Sequence, residues 1–440
     1  MQFPHWKLLS WAGLKQPRRL LPAALIILFS VIAAEASYRM GWADLAEHAY
    51  SDLWHRQSGV RHQPQHVVLV VMDDQTLDLY NDDPLAFWTP HIAKGVAVLR
   101  AAGATIVGLD FLYKISPTAW LNKMSLPGND ISRTYDAPFL NEISSGQMVM
   151  VGSHLGAENF LLPHSDYLLA IPDANLSHGI GLADLLADND GIIRNFVTAQ
   201  RMKEAPPEEA QGLPRLTLGA LLAVRATQQD PLAKSWQLGG RAIQRSDRIL
   251  SIGYAGPPGT VPRISLGRLL QDGAGNDPAV QALKGKVVII GGEFHGMNDW
   301  HSTPYTTKLF GGSGNLMTGP EVQANIVETL LSGKQNQPLP MAARLAYFVL
   351  AIGLAVLVYQ RSTPWHGLLM FLGLSALAAL FAYLLFKQYL LVPVASLQVG
   401  LLAGYVASYG KRLTSEERSR ARVTKIFGRY VSTEVVDMLL

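Results

Sequence analysis

Four long apolar segments constrain the fold of this chain more than any other feature of its sequence. The segments cover residues 20–36, 342–359, 368–386 and 389–409, and neither of the last two contains a charged residue. A helix of about 20 apolar residues is long enough to cross the hydrocarbon core of a bilayer. The sequence therefore predicts four transmembrane helices, one before and three after a central segment at residues 37–341.

The charges of the chain are divided unequally between this central segment and its flanks. Residues 37–341 carry 23 Lys and Arg against 29 Asp and Glu, a net charge of −6, whereas the remaining residues carry 14 against 5, a net charge of +9. Lys and Arg collect on the cytoplasmic side of membrane proteins. We therefore expect residues 1–19 and 410–440 to be cytoplasmic and the central domain to lie outside the cytoplasm, with the lipid bilayer as a partner.

Composition also disfavours two kinds of binding site. A nucleic-acid-binding protein gathers its basic residues on a folded domain, whereas the basic excess here lies at the borders of the apolar segments. We therefore expect no nucleic acid among the partners. Cysteine is absent from the sequence, which excludes disulfides and thiolate metal sites.

The first apolar segment allows two interpretations. Ala34-Glu35-Ala36 has the small-x-small form of a signal-peptide processing site. An uncleaved membrane anchor is the interpretation that we favour. Under either interpretation, the residues that follow are exported.

Strand and helix patterns alternate through the central segment. Residues 66–72 form a continuous apolar run rich in Val, typical of a strand buried on both faces of a parallel sheet. Thr89-Pro90 begins a helix, and residues 105–109 form a second strand, which completes a right-handed crossover unit. Residues 287–290 add another buried strand. We therefore predict an α/β domain with a mostly parallel sheet.

Five stretches of the chain together carry a resemblance to a known family. They are, in order, VVLVVMDDQTLDLY, WTPHIAKGVAVLRAAGATIVGLDFLY, LADNDGIIRNFV, VVIIGGEFHGMNDWHSTPY and TGPEVQANIVETLLSG. Their order and spacing over residues 40–340 resemble the CHASE type 2 extracellular sensor domain, and one span before it with three after it is similar to that family as well. The terminal FGRYVSTEVVDMLL resembles the helical element that precedes the catalytic domain in bacterial class III adenylate cyclases with such sensors.

This resemblance implies the sensory and transmembrane part of a receptor adenylate cyclase in the bacterial inner membrane. The sensor would lie in the periplasm, where it responds to an unidentified ligand or protein and regulates the conversion of ATP to cyclic AMP. In the family, the catalytic domain binds Mg²⁺ or Mn²⁺ and is active as a homodimer. That domain would follow residue 440, so the resemblance assigns no catalytic residue and no cofactor within this chain.

Two segments are expected to transmit the signal. Pro338 and Pro340 form a stiff link into the second span. Residues 410–440 are interpreted as a helical linker that includes Phe427 and Tyr430 and continues the fourth span into a short parallel coiled coil. The alternative is a basic juxtamembrane helix that lies on anionic lipid.

Four carboxylates are the candidate ligand or metal site. Asp73, Asp74 and Asp110 follow apolar strands, and Asp299 follows a third strand after a short loop. Ligands of open α/β sheets bind at the carboxyl ends of the strands. Carboxylates that converge there would bind a hard cation such as Ca²⁺ or Mg²⁺ or a polar ligand. The alternative is that they cap helices and brace loops.

Three other motifs are weaker signals. His295 and His301 lack a third zinc ligand at a suitable spacing. Gly291-Gly292 fits no phosphate-binding pattern and is interpreted as a flexible turn, as is the glycine-rich stretch at residues 310–314. Arg194 is interpreted as an ion-pair partner.

Two other classes of function stay open. A kinase or a diguanylate cyclase is an alternative output for the same sensor, and the residues after 440 would separate these outputs. A membrane scaffold without catalysis is the second class, which a stop codon directly after residue 440 would favour.

Overall fold

The computed structural model describes residues 17–124, 134–154, 160–200, 215–306 and 314–427. The chain divides into two compact units. The central unit is Asp52–Asn336, and the flanking unit contains the chain before it, up to Ser51, and after it, from Gln337.

Helices, three of which are short 3₁₀ turns, occupy the following ranges: Pro17–Met40, Asp44–Ser58, Asp74–Leu79, Leu85–Phe87, Thr89–Ala101, Pro117–Lys123, Ala137–Ser144, Ser165–Leu169, Pro172–Ala174, Leu176–Gly179, Leu218–Ala226, Leu266–Leu269, Ala274–Asn276, Pro278–Gln281, Gly319–Ser332, Met341–Tyr359, Pro364–Phe386 and Val394–Phe427.

Strands, many of them short, occupy the following ranges: β1 Val67–Asp73, β2 Ile106–Leu109, β3 Met148–His154, β4 Phe160–Leu161, β5 Ile180–Leu182, β6 Asn195–Phe196, β7 Ser235–Leu238, β8 Arg241–Gln244, β9 Leu250–Ser251, β10 Arg263–Ser265, β11 Val287–Glu293, β12 Trp300–His301, β13 Met317–Thr318, β14 Gln337–Pro338 and β15 Leu390–Leu391.

The main sheet of the central unit is parallel except at one edge. Its parallel strands run in the order β10-β1-β11-β2-β3-β5, and β4 adds to β3 in the antiparallel direction. β1 and β11 pair along their whole lengths, from Val67 with Val287 to Asp73 with Glu293. The predicted α/β domain with a mostly parallel sheet is confirmed.

Helices cover both faces of this sheet. Successive residues of the interior strands point to opposite faces, so that Ile289 belongs to one buried apolar cluster and Ile290 to the other. The first cluster includes the helices Leu218–Ala226 and Gly319–Ser332, and the second includes Thr89–Ala101, Ala137–Ser144 and Leu266–Leu269. Because apolar side chains fill most of both faces, we expect a polar binding site at the carboxyl ends of the strands.

The Gly319–Ser332 helix is buried along nearly its whole length, polar side chains included. Glu321 accepts a hydrogen bond from the Gly259 amide at 2.9 Å, and Asn325 accepts one from the Ala255 amide at 2.9 Å. Buried polar groups need such partners. In the sequence, the four-residue spacing of Val322, Ile326 and Leu330 indicates one buried face but gives no sign of these hydrogen bonds.

The prediction that Gly291-Gly292 forms a turn is wrong, because both residues lie inside β11. A Cβ atom on Gly291 would overlap the Pro320 ring, and one on Gly292 would overlap the Met297 sulfur. Glycine within a strand often marks such close approach. Residues 310–313 of the other glycine-rich stretch lie outside the described residues.

Three helices of the flanking unit are long and apolar enough to cross a membrane, within the ranges that the structure describes. They are Leu21–Met40, Met341–Tyr359 and Pro364–Phe386. The first three predicted spans fall on these helices.

The predicted start of the fourth span at Tyr389 is wrong. Tyr389 has a positive φ of 63°, Leu390–Leu391 forms strand β15, and the helix begins at Val394. Pro393 explains the shift, because proline has no amide to donate inside a helix. The uncharged part of the helix ends before Lys411 and is about 25 Å long at 1.5 Å per residue, against about 30 Å for a bilayer core. A fourth span therefore stays a prediction.

Carboxylates fix two helix ends of the flanking unit. Glu47 accepts hydrogen bonds from the amides of Val394 and Ser396 at 3.0 and 2.9 Å, which caps the helix that begins at Val394. The two Glu35 carboxylate oxygens accept hydrogen bonds from one edge of the Arg344 guanidinium, from Nε at 3.0 Å and from Nη2 at 2.8 Å. These bonds join helices that are far apart in sequence.

Candidate functional site

The carboxyl ends of the parallel strands lie along one edge of the main sheet. β1 ends at Asp73, β11 ends at Glu293, and Asp110 directly follows β2. β1, β11 and β2 are neighbours in the sheet. Acidic residues that are far apart in sequence are therefore gathered at this edge, where ligands bind in open α/β sheets.

A cavity of about 580 Å³, here called the main cavity, opens at this edge. Its walls are mostly apolar and aromatic, and its polar residues include Asp110 and Asp299. Cavities of this size with few polar groups are typical binding sites for small molecules. The residues that line it are Met72, Leu85, Ala86, Trp88, Asp110, Phe111, Leu112, Tyr113, Lys114, Ile115, Val151, Ala183, Gly292, Phe294, Met297 and Asp299.

Asp110 has an unusual electrostatic environment in this cavity. Burial, and secondly the charge of Asp299, raise the pKa of Asp110 to about 7. The Asp110 amide donates to the Ile290 carbonyl at 2.8 Å, which holds the residue against β11. The Asp110 carboxyl group has no hydrogen-bond or ion-pair partner among the residues that the structure describes. Near neutral pH it therefore exchanges readily between its acid and carboxylate forms.

Asp299 is held in place by its neighbours. Its carbonyl accepts a hydrogen bond from the Gly319 amide at 3.0 Å, and His301 Nε2 lies 2.7 Å from its Oδ1 atom. A Cβ atom on Gly319 would overlap the Asp299 carboxylate. The absence of a side chain at Gly319 therefore gives this carboxylate room beside the start of the Gly319–Ser332 helix.

Asp73 and Asp74 have other roles, so the expectation that four carboxylates converge is corrected. Asp73 caps the Asp74–Leu79 helix by accepting from the Thr76 amide at 2.9 Å, and it also bonds the Thr76 and Ser265 hydroxyl groups. Asp74 accepts from the His295 amide at 2.9 Å, and the His295 ring lies 2.6 Å from the same carboxylate. Backbone and side-chain hydrogen bonds from His295 lower the pKa of Asp74.

No metal-binding group of three or more His, Asp or Glu is present in the part of the chain that the structure describes. The two histidines have different partners, Asp74 for His295 and Asp299 for His301. Of the four predicted site residues, the structure brings together only Asp110 and Asp299. Ligand binding by this pair stays a prediction.

A second, more polar cavity of about 390 Å³ adjoins the main cavity and shares Asp110, Ala183 and Asp299 with it. Asp184 lies in this second cavity and accepts from the Ser153 hydroxyl at 2.6 Å and from the His154 amide at 2.8 Å. Both oxygens of its carboxylate are thus hydrogen-bonded to β3, and Gln200 Nε2 donates a further bond at 3.2 Å. Asp110 differs from Asp184 in lacking such partners within the described residues.

Arg194 forms a buried ion-pair cluster elsewhere in the central unit. It bonds both carboxylate oxygens of Asp52, at 2.7 and 2.9 Å, and also pairs with Asp188 and Asp190, each at 2.8 Å. Burial alone would lower the pKa of Arg194, but the hydrogen bonds to the three carboxylates outweigh it and raise the pKa. The cluster, here called the Arg194 cluster, ties Asp52 to the turn at residues 188–191 within the central unit.

The residues predicted to transmit the signal lie in the flanking unit. Pro338 lies in β14, which pairs in parallel with β15, and Pro340 directly precedes the Met341–Tyr359 helix. Phe427 ends the described part of the last helix, and its side chain and Tyr430 lie outside the described residues. Signal transmission by these four residues stays a prediction.

The aromatic walls of the main cavity were not singled out by the sequence. Phe111 follows Asp110 directly and Phe294 follows β11 directly, so that both occupy the strand ends where ligands bind. Their position after a buried strand was the available signal. Trp88 gives no such signal, because it directly precedes the Thr89–Ala101 helix and does not lie at the end of a strand.

The family model of the CHASE2 domain matches residues 23–359 of this chain. Neither the search of curated proteins nor the search of solved structures gives a match.

Proposed function

Because the chain belongs to the CHASE2 domain family, we propose that it is the sensory and transmembrane part of a receptor adenylate cyclase whose cue binds in the main cavity. CHASE2 domains are extracellular sensor domains of receptors. The observation that carries the sensing role is the apolar cavity at the carboxyl edge of the sheet, with Asp110 and Asp299 in its wall. A cavity of this size with mostly apolar walls and few polar groups suits the binding of a small ligand.

Adenylate cyclase activity is the output that we assign to this receptor, because residues 427–440 resemble the helical element that precedes class III catalytic domains. That domain would use ATP with Mg²⁺ or Mn²⁺ and would act as a homodimer. Ligand binding at the sensor would favour one of two packed states of the protein, and an energy difference of a few kcal/mol between them is enough to change the output. Pro338, Pro340, Phe427 and Tyr430 are the residues on this route.

The topology that this function requires is a periplasmic sensor and two cytoplasmic ends in the bacterial inner membrane. The basic excess outside residues 37–341 supports it. Two cytoplasmic ends also require the predicted fourth span, because the three apolar helices alone would leave the two ends on opposite sides of the membrane. Alkaline phosphatase, which is active only outside the cytoplasm, is the reporter to fuse after Asn336 and after Leu440. We expect activity only for the first fusion, and activity of both fusions would contradict the proposal.

Cyclic AMP formation tests the output directly. The protein expressed from its complete coding sequence should convert ATP to cyclic AMP in membranes with Mg²⁺ or Mn²⁺. GTP supplied in place of ATP is the matched control for a diguanylate cyclase, and transfer of the γ-phosphate to protein is the control for a kinase. A product other than cyclic AMP would overturn the cyclase assignment and leave the sensing role intact. No product at all would favour the membrane scaffold.

A further inference from the structure

The main cavity combines an aromatic lining with a carboxyl group, that of Asp110, which has no hydrogen-bond or ion-pair partner among the described residues. Trp88, Phe111 and Phe294 contribute aromatic rings to its wall, and Met297 contributes a thioether. Asp110 and Asp299 contribute the acidic groups. Charged groups in such surroundings are normally paired, because an unpaired charge loses its hydration without compensation.

Other acidic groups of the central unit show how this chain normally satisfies a buried carboxylate. Asp136 accepts from the Thr89 and Ser116 hydroxyl groups at 2.6 and 2.9 Å and from the Thr118 amide at 3.0 Å. Glu321 accepts from two amides and pairs with Arg263 at 2.9 Å. The Asp110 carboxyl group has no such hydrogen bond or ion pair among the described residues. A partner for it would therefore come from outside the described residues.

The charges around Asp110 make that partner a cation. Asp299 is close enough to Asp110 for its negative charge to raise the pKa of Asp110. Lys114, the basic residue among those that line the main cavity, is exposed, and His301 is already engaged by Asp299. An anionic ligand would add a third negative charge to this wall, which is unfavourable in a partly desolvated site.

We propose that the main cavity binds a small organic cation, an ammonium group carried on an aromatic or apolar body. The ammonium group would lie between Asp110 and Asp299, and the body would pack against Phe111 and Phe294, which are partly exposed in the cavity wall. Aromatic rings add to this selectivity, since their faces attract cations. This inference rests on the proposed function, in which the same cavity receives the cue.

A hydrated metal ion fits this site less well than an organic cation. The cavity supplies two carboxylates, whereas Ca²⁺ takes six to eight oxygen ligands, and no group of three acidic or His side chains suits a metal within the described ranges. The apolar walls also give no replacement for the water that a metal ion would lose. An organic cation instead buries its own apolar surface against those walls.

Three indole compounds that differ in charge test this proposal: tryptamine, which is cationic, tryptophol, which is neutral, and indole-3-acetate, which is anionic. Their binding to the whole chain in detergent micelles is measured by isothermal titration calorimetry at pH 8, where Asp110 is mostly ionised. We expect tryptamine to bind at least about tenfold more tightly than tryptophol, a difference of about 1.4 kcal/mol, and indole-3-acetate to bind least.

Two variants with the same change of charge locate the binding site. Asp110→Asn should weaken tryptamine binding about tenfold or more and leave tryptophol binding unchanged. Asp78→Asn alters an exposed carboxylate that does not line the cavity, and it should leave tryptamine binding unchanged. Because Asp110→Asn removes a destabilising charge, loss of the fold would not explain its effect.

Cation binding should also release a proton from the fraction of Asp110 that is protonated. At pH 7, tryptamine titrations in buffers of different ionisation enthalpy should show this release for the parent chain and lose it in Asp110→Asn. No saturable tryptamine binding, equal affinity for tryptophol, or full tryptamine affinity in Asp110→Asn would each overturn the inference.

These binding experiments need no output domain, so their failure is distinct from failure of the proposed function. Cyclic AMP formation without tryptamine binding would leave the receptor proposal standing and reject the cation. Tryptamine binding that needs Asp110, without cyclic AMP formation, would support the cation site and reject the cyclase output.

Discussion

The Arg194 cluster and the Asp110–Asp299 pair are two concentrations of charge in the same central unit, and they are built in opposite ways. In the cluster, one guanidinium is surrounded by three carboxylates and bonded to all of them. In the pair, two carboxylates share the wall of a cavity and Asp110 has no partner among the described residues. The first arrangement is satisfied by the residues of the chain itself, whereas under the cation proposal the second is satisfied only when a ligand supplies a cation.

Removal of a charged group should change the stability of the fold in opposite directions at these two sites. Removal of one member of a satisfied buried ion pair leaves the others uncompensated and is costly. Removal of an unsatisfied carboxylate relieves repulsion and desolvation, so the same kind of substitution should stabilise the fold. The sign of the change is therefore the measurement that distinguishes the two sites.

The largest effect is expected for Arg194→Met. Asp52, Asp188 and Asp190 would lose their shared cation, and we expect the free energy of unfolding of the central unit to fall by about 3–5 kcal/mol. Hydrogen exchange of the β11 amides, measured by mass spectrometry on the whole chain in detergent micelles, reports this free energy. Arg248→Met, at an exposed arginine, is the matched control and should change it by less than about 0.5 kcal/mol. A loss below about 1 kcal/mol for Arg194→Met would contradict a stabilising role for the cluster.

A smaller effect of opposite sign is expected for Asp110→Asn. At pH 8 the Asp110 carboxylate is ionised in a site that disfavours the charge, so its replacement should raise the free energy of unfolding by roughly 1–3 kcal/mol. The same exchange measurement on the β2 and β11 amides checks this. Asp184→Asn is the matched variant, because Asp184 lies at the same sheet edge but is hydrogen-bonded, and it should lower the free energy of unfolding. If both variants lower the free energy of unfolding, Asp110 and Asp184 do not differ in the way proposed.

The gain from Asp110→Asn should depend on pH in a defined direction. The pKa of Asp110 is about 7 in the folded chain, against an ordinary value of 3.8, so between these values the folded state binds more protons than the unfolded state. The contribution of Asp110 to stability is therefore fully present below about pH 4 and is lost as the pH rises through about 7. Exchange measurements at pH 5 should accordingly show a much smaller difference between the parent chain and the variant than at pH 8.

The sequence was sufficient to predict the architecture of the central unit and part of its site. The apolar runs that became β1 and β11 have the length and β-branched composition typical of strands buried on both faces, and the strand ends located Asp110. The relation of Asp110 to Asp299 and the aromatic walls depends on which strands are neighbours, which local patterns do not encode. β11 inserts between β1 and β2 although it follows them by well over a hundred residues.

The misplaced helix start at Tyr389 has a different cause. Apolar composition alone does not separate a helix from the extended segment that β15 forms with β14. Pro393 was the local signal for the boundary, since the helix begins directly after it. The pairing itself depends on Gln337 and Leu339, whose amides donate to the Tyr389 and Leu391 carbonyls at 2.7 and 3.0 Å, and such a contact between distant segments leaves no trace in local sequence.

The smallest effect is expected inside the Arg194 cluster itself, for Asp190→Asn. The Asp190 side chain is 33% exposed, whereas that of Asp52 is 5% exposed, so water screens the Asp190 pair more strongly. Arg194 would also keep Asp52 and Asp188. We expect the free energy of unfolding to fall by about 0.5–1 kcal/mol for Asp190→Asn and by clearly more for Asp52→Asn, measured by exchange of the same β11 amides. If Asp190→Asn lowers the free energy of unfolding as much as Asp52→Asn does, the total charge of the cluster stabilises it rather than the buried bidentate pair between Arg194 and Asp52. The Arg194 cluster would then differ from the Asp110–Asp299 pair only in its number of charges.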